Sequence, residues 1–186
     1  MILGIVGLIG SGKDTAADYI SKKYGYEKVS FRDIVHEVVA EKRLEPTREN
    51  MQKVARECRD KYGEDFFSKK VLEKGKALIK KGKNVLFKEM RTAGDVQLLR
   101  DEFGKKMKVI VIEAGERTRF DRMKKRGRTG DPKTFEDFSR QQKKEEELRF
   151  TDSLKFADIG VDNNGTKKEL CLEIDGMMEG LGRKSL

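Results

Sequence analysis

The stretch Ile2-Leu3-Gly4-Ile5-Val6-Gly7-Leu8-Ile9-Gly10-Ser11-Gly12-Lys13-Asp14-Thr15 decides how the rest of the chain is read. An apolar strand, Ile2 to Val6, runs into a glycine-rich turn, and a helix is expected to begin near Lys13. Glycines at this spacing let successive backbone N–H groups converge on a chain of phosphates. Lys13 reaches the outer phosphates, and the helix N-terminus adds positive potential. The stretch is a phosphate-binding loop, or P-loop, with Gly10, Ser11, Gly12 and Lys13 as the candidate cradle. The usual pattern places Ser or Thr directly after the lysine to touch Mg²⁺, whereas here Asp14 stands there and Thr15 follows. A carboxylate is also a hard oxygen ligand, so Asp14 and Thr15 are the candidate metal ligands.

Composition narrows the partners. The chain has 186 residues, a length that fits one domain, 1–186, with a sizeable core. A formal charge of +9 with 40% charged residues implies anionic partners: nucleotides, nucleic acid or acidic lipid. No aromatic platform interleaved with basic residues is read along the chain, which disfavours nucleic acid. Cys58 and Cys171 are too few for a disulfide framework and lack metal-ligand spacing, so free thiols and a cytoplasmic location are expected. Met1 to Ile9 has no preceding basic segment and no small-residue cleavage site, and Lys13 ends the apolar run far short of a membrane span. It reads as a buried strand, and no membrane partner is expected.

Further strands are expected over Tyr26–Phe31, Asn84–Phe87, Val109–Ile112 and Ala157–Val161. Between them, helical periodicity appears from Thr15 to Tyr24, from Asp33, after the Thr47 cap with Asn50 at its third position, from Phe66 to Ile79, from Asp95 to Phe103 and from Glu116 to Arg126. Thr166 caps a closing helix. The segment Thr134 to Leu148 is highly charged and offers no long apolar face. Strands alternating with helices demand parallel pairing through right-handed crossovers, with ligands at the strands' C-terminal ends. The fold class is α/β: a three-layer α/β/α P-loop NTPase fold around a five-stranded parallel sheet.

The order of motifs resembles, over nearly the whole length, small P-loop kinases of the adenylate kinase, deoxynucleotide monophosphate kinase and dephospho-CoA kinase group. It is closest to a nucleotide-kinase-like branch found in archaea and some bacteria. Gly10-Ser11-Gly12-Lys13-Asp14-Thr15 is similar to the lysine-aspartate form of phage-type deoxynucleotide monophosphate kinases and phosphomevalonate kinases. Arg122-Met123-Lys124-Lys125-Arg126-Gly127-Arg128, followed by Arg140, is similar to an arginine array that closes over phosphates. Such guanidinium groups match phosphate oxygens and stabilise charge spread in phosphoryl transfer. The resemblance implies a short arginine-rich lid near 127–138, with Arg122 near the nucleoside base and Arg126, Arg128 and Arg140 acting with Lys13 as catalytic groups. Asp162-Asn163-Asn164-Gly165-Thr166 resembles the last loop of dephospho-CoA kinases, which implies Asn163, Asn164 and Gly165 beside the adenine of ATP.

On the acceptor side the chain departs from its relatives. Val29-Ser30-Phe31-Arg32-Asp33-Ile34-Val35-His36 resembles the start of a helical acceptor-binding insertion, here about 32–82, but the arginine usual at the His36 position is missing. Arg32 or a protonated His36 is the candidate replacement, and Asp33 is the one nearby carboxylate placed to act as a base. In Phe87-Lys88-Glu89-Met90-Arg91, Lys88 and Glu89 occupy positions where the relatives carry Asp-Gly, while Arg91 remains as a candidate for the acceptor phosphate. A phosphate acceptor is already a nucleophile and needs no base. The expected activity is therefore ATP- and Mg²⁺-dependent phosphoryl transfer to a nucleoside monophosphate or similar small nucleotide acceptor. Dephospho-CoA kinase, with a ribose hydroxyl acceptor, is the alternative within the class. An ATP-binding switch or weak ATPase acting on RNA or a protein partner is the alternative outside it.

Overall fold

Ile2–Val6 forms β1, buried along its whole length, and the way its side chains divide sets the layers. Ile2 and Val6 project into one apolar core and Leu3 and Ile5 into another, as the two-residue period of a strand requires. In β3 (Asn84–Lys88) Val85 and Phe87 join the first core and Leu86 the second. In β4 (Met107–Glu113) Met107 and Val109 oppose Ile110 and Ile112. Strands buried on both faces read as unbroken apolar runs, which is why these segments stand out in the sequence.

The computed structural model describes residues 1–90, 92–147 and 151–183. With β2 (Tyr26–Ser30) and β5 (Ile159–Asp162) the strands make one parallel sheet in the order β2-β3-β1-β4-β5. Helices α1 (Lys13–Tyr24) and α8 (Lys167–Arg183) pack on one face. On the other lie α2 (Phe31–Glu41), α3 (Arg48–Tyr62), α4 (Phe66–Lys80) and α5 (Ala93–Phe103). This is the expected three-layer α/β/α arrangement. Two more helices, α6 (Glu116–Arg126) and α7 (Phe135–Glu147), bring Phe120, Met123 and Phe138 into a small third cluster against Ile9 of the P-loop. No described helix is long and apolar enough to cross a membrane.

Register positions the site. Ile5 aligns with Lys88 on one side and Ile110 on the other, so β1, β3 and β4 end at a common edge where the P-loop emerges.

Three local outcomes differ from the expectation. Helix α2 begins at Phe31 rather than Asp33, because the Ser30 hydroxyl accepts from the Asp33 N–H and draws Phe31 and Arg32 into the first turn. The charged segment after Thr134 is a regular helix, α7. The Thr134 hydroxyl accepts from the Asp137 N–H at 3.1 Å, and Phe135 and Phe138 pack against Phe120. Two aromatic anchors suffice where a long apolar stripe is absent. At the α3–α4 junction Tyr62 stacks on Phe66, ring centroids 5.0 Å apart, with the Lys61 and Lys70 ammonium groups over the two rings. Basic and aromatic side chains therefore do interleave on this surface, through a helix turn that linear reading does not reveal.

Candidate functional site

The P-loop takes a shape that its glycines alone permit. Gly10 and Gly12 have φ of 81° and 92°, in the left-handed region. A Cβ on Gly10 would lie 2.8 Å from the Arg119 carbonyl oxygen, and one on Gly12 would lie 2.2 Å from Nδ2 of Asn163. Gly12 is the N-cap of α1 with no side-chain cap, and the first residues of the helix, Lys13, Asp14 and Thr15, line the cleft described below. Beneath the loop, the Ser11 hydroxyl is buried without a hydrogen-bond partner.

Two arms hold this loop from outside. The Asn163 amide, in a side chain almost fully buried, donates to the Ser11 carbonyl at 2.7 Å. Arg119 reaches from α6 to the Ile9 carbonyl, the Ala114 carbonyl and Oε1 of Gln142 on α7, with its guanidinium over the Phe138 ring. Arg119 is 2% exposed, and burial holds its guanidinium below the ordinary arginine range. Sequence reading does not find it. The available signal is an arginine beside Phe120 and one turn before Met123, on the buried side of an otherwise charged helix.

A cleft of about 390 Å³ opens above the loop, a volume suited to a small ligand. Lys13, Asp14, Thr15, Arg32 and Glu89 line it. Arg122, Arg126 and Arg128 line it too. Asp33 and His36 are not among the lining residues, and Arg91 lies outside the described residues. Arg140 is also absent from the lining, its exposed side chain paired with Asp137. Glu145 of α7 and Ser153, neither singled out in the sequence, also line it.

The arginines are set by specific partners. Arg126 makes a two-point contact with Asp131, 2.6 and 2.8 Å, and the Arg128 N–H adds a third bond to the same carboxylate. The Arg126 hydrogen bonds hold the Asp131 carboxyl below its ordinary range against a smaller opposing effect of burial. Arg122 donates to the carbonyls of Asn163 and Gly165 at 2.7 and 2.9 Å, so it braces the turn expected beside a nucleoside base. Asn164 accepts from the Gly115 N–H and thereby ties that turn to the β4–α6 connection.

At the other end, Lys88 turns inward. Its ammonium lies 2.9 Å from Oδ1 of Asp14. Burial alone would raise the Asp14 carboxyl, yet the hydrogen bond and charge of Lys88, with the charges of Lys13 and Arg32, hold it below its ordinary value. The neighbouring Glu89 has φ of 64°, a strained conformation for a residue with a side chain, costing about 1–3 kcal/mol. Its carboxylate accepts from the Ser30 hydroxyl and the Arg32 N–H and faces the Arg32 guanidinium at 3.1 Å.

P-loop kinases take ATP with Mg²⁺, and the donors present here bear on that ion. A divalent cation on Asp14 would share the carboxylate with an ammonium already at 2.9 Å, and Glu89 is committed to Ser30 and Arg32. The side chains as arranged do not fit a directly ligated Mg²⁺ at Asp14, one of the two ligands, with Thr15, expected from the sequence.

A parallel sheet ordered 2-3-1-4-5, a P-loop after its central strand and an arginine-lined cleft above that loop define a P-loop protein of kinase-like fold. The chain belongs to the AAA domain family, whose model matches residues 6–139, and to the UPF0200 proteins. It is 33% identical over 180 residues to the UPF0200 protein TK1334 of Thermococcus kodakarensis, covering 96% of this chain and 97% of that one. Among solved structures it is similar to shikimate kinase from Bacteroides thetaiotaomicron, with a TM-score of 0.61, 12% identity and 98% of each chain covered. The shikimate kinase from Aquifex aeolicus gives a TM-score of 0.56 at 17% identity, again over 98% of each chain. At such identities the likeness is one of fold.

Proposed function

We propose that the protein is a kinase that transfers the γ-phosphoryl group of ATP to a nucleoside monophosphate or similar nucleotide acceptor. The observation that carries this reading is the cleft that Lys13 and the P-loop line together with Arg126, Arg128 and Arg32. Backbone N–H groups of the loop and the start of α1 bind the donor phosphates. Lys13 sits at the outer phosphates, and Arg126 and Arg128 face the group in transfer, where charge spreads over its oxygens. Arg122, braced on Asn163 and Gly165, forms the wall at the base. The segment 127–138 serves as the lid, and the region 32–82 receives the acceptor.

A phosphate acceptor suits this site better than a hydroxyl. A hydroxyl needs a base, and of the carboxylates lining the cleft Asp14 and Glu89 are both engaged by cations. Asp33 is exposed and away from the lining. Arg32 stands at the acceptor end, its guanidinium about half exposed.

The test is a panel of nucleoside monophosphates, dephospho-CoA and no acceptor, incubated with labelled ATP. The expected result is label on a monophosphate, lost in Lys13→Ala and Arg128→Ala. Label on dephospho-CoA alone, or ATP hydrolysis indifferent to every acceptor, would overturn the reading.

A further inference from the structure

We propose that Lys88 is a tethered counter-cation of the phosphate cradle, and that the site binds a nucleoside triphosphate as its metal-free anion. The lysine ammonium stands beside residue 14, where P-loop proteins ordinarily keep a divalent ion. The inference rests on the kinase reading only in taking the P-loop as a triphosphate site.

The usual P-loop holds its ion between a loop hydroxyl and a carboxylate on a neighbouring strand. Here the charges are exchanged. The loop carries the carboxylate, Asp14, and the strand beside β1 carries the cation, Lys88. Register makes the exchange specific, because Lys88 pairs with Ile5, two residues before Gly7 begins the loop. From there its side chain, 17% exposed, runs inward to Asp14 rather than out to water. The Asp14–Lys88 pair is neutral as a unit, so it lacks the uncompensated negative charge that draws a dication out of its hydration shell. A second cation next to the ammonium would meet repulsion at close range.

Lys88 is not itself among the residues lining the cleft and reaches it through Asp14; the charges that do line it supply what a metal otherwise would. Lys13, Arg32, Arg122, Arg126 and Arg128 all line it, against the carboxylates Asp14, Glu89 and Glu145. Two of those three carboxylates are already paired with cations, Glu89 with Arg32 and Asp14 with Lys88, and Arg126 in turn is paired with Asp131. A triphosphate entering this cleft meets an excess of fixed positive charge without bringing its own.

Calorimetric titration of ATP into the whole protein, in excess EDTA and in saturating magnesium, tests the proposal. The wild-type dissociation constant is expected to differ by less than about tenfold between the two media, and Lys88→Met to weaken binding in EDTA by about tenfold or more. Wild-type binding that collapses in EDTA, or a folded Lys88→Met protein with unchanged affinity there, overturns it. The wild-type comparison needs no variant, so the proposal stands or falls on it even where Lys88→Met misfolds. A second readout is Mn²⁺ binding to the nucleotide-free protein by electron paramagnetic resonance. Removal of the lysine is expected to raise Mn²⁺ affinity at Asp14, and equal affinity in wild type and Lys88→Met counts against the proposal. The two readings fail separately. Metal-free ATP binding with no acceptor phosphorylated sinks the kinase alone, and metal-dependent binding with acceptor turnover sinks the role of Lys88 alone.

Discussion

The side-chain amide of Asn163 donates to the main-chain carbonyl of Ser11 at 2.7 Å, tying the turn after β5 to the middle of the P-loop. The amide lies where a Cβ on Gly12 would sit, so loop and turn are fitted to each other. Asn163→Ala removes the donor and strands a buried carbonyl, at a cost of about 1–3 kcal/mol. Urea denaturation is expected to show that loss, together with weaker ATP binding. A stability unchanged within the error of the melt would show that the contact is incidental.

Gln142 on α7 accepts a hydrogen bond from the buried Arg119 guanidinium through Oε1. Its replacement by leucine keeps the volume but leaves a desolvated charge short of an acceptor, a loss of about 1.5–3 kcal/mol for a bond to a charged group. Because the same guanidinium holds the Ile9 carbonyl, Gln142→Leu is also expected to weaken nucleotide binding. The check is a denaturation curve run beside an ATP titration, with an unaffected titration arguing against the coupling.

Two helical glycines should respond in opposite directions to alanine. A Cβ at Gly75 in α4 would lie 2.3 Å from the Phe87 ring, which is fully buried in β3. Overpacking there is expected to destabilise by about 1–3 kcal/mol. Gly176 in α8 has nothing within 4 Å of an added Cβ, so alanine should stabilise by up to about 1 kcal/mol through helix propensity. Thermal melts of the two variants decide the point, and a shift of the same sign in both would contradict the packing.

Asp131 has its carboxyl held below the ordinary range by its hydrogen bonds with Arg126. A depressed folded-state pKa contributes stability that is fully present above the unfolded value, about 3.9, and is lost as pH falls through the lower folded value. Asp131→Asn should therefore flatten the acid limb of the stability–pH profile below about pH 4 while leaving its shape at neutral pH unchanged. Equal acid slopes in the two proteins would mean that the pair contributes nothing.

Much of the fold was legible because its signals are local. The P-loop spacing, the apolar runs of β1, β3 and β4, and the Thr47 cap of α3, whose hydroxyl meets the Asn50 N–H, all lie within a few residues of chain. Helix α7 is hidden because its burial depends on Phe138 finding Phe120, a partner on another helix. Arg119 is hidden because an arginine in a charged helix gives no sign of pointing inward. The arginine array is legible as a group, yet Arg140 pairs with Asp137 away from the cleft lining, while Arg126 and Arg128 line the cleft and Asp131 holds the Arg126 guanidinium.

By itself the sequence determined that a phosphate-binding loop joins a buried strand to a helix, because glycine spacing and hydrophobic period act over short distances. It also marked Asp14 and Lys88 as departures from the usual pattern. Only the tertiary structure decided that these two are one feature, with Lys88 turned onto Asp14. That meeting depends on β3 lying next to β1 in a given register, and strand neighbourhood is settled by packing across the whole sheet rather than by residues near either position.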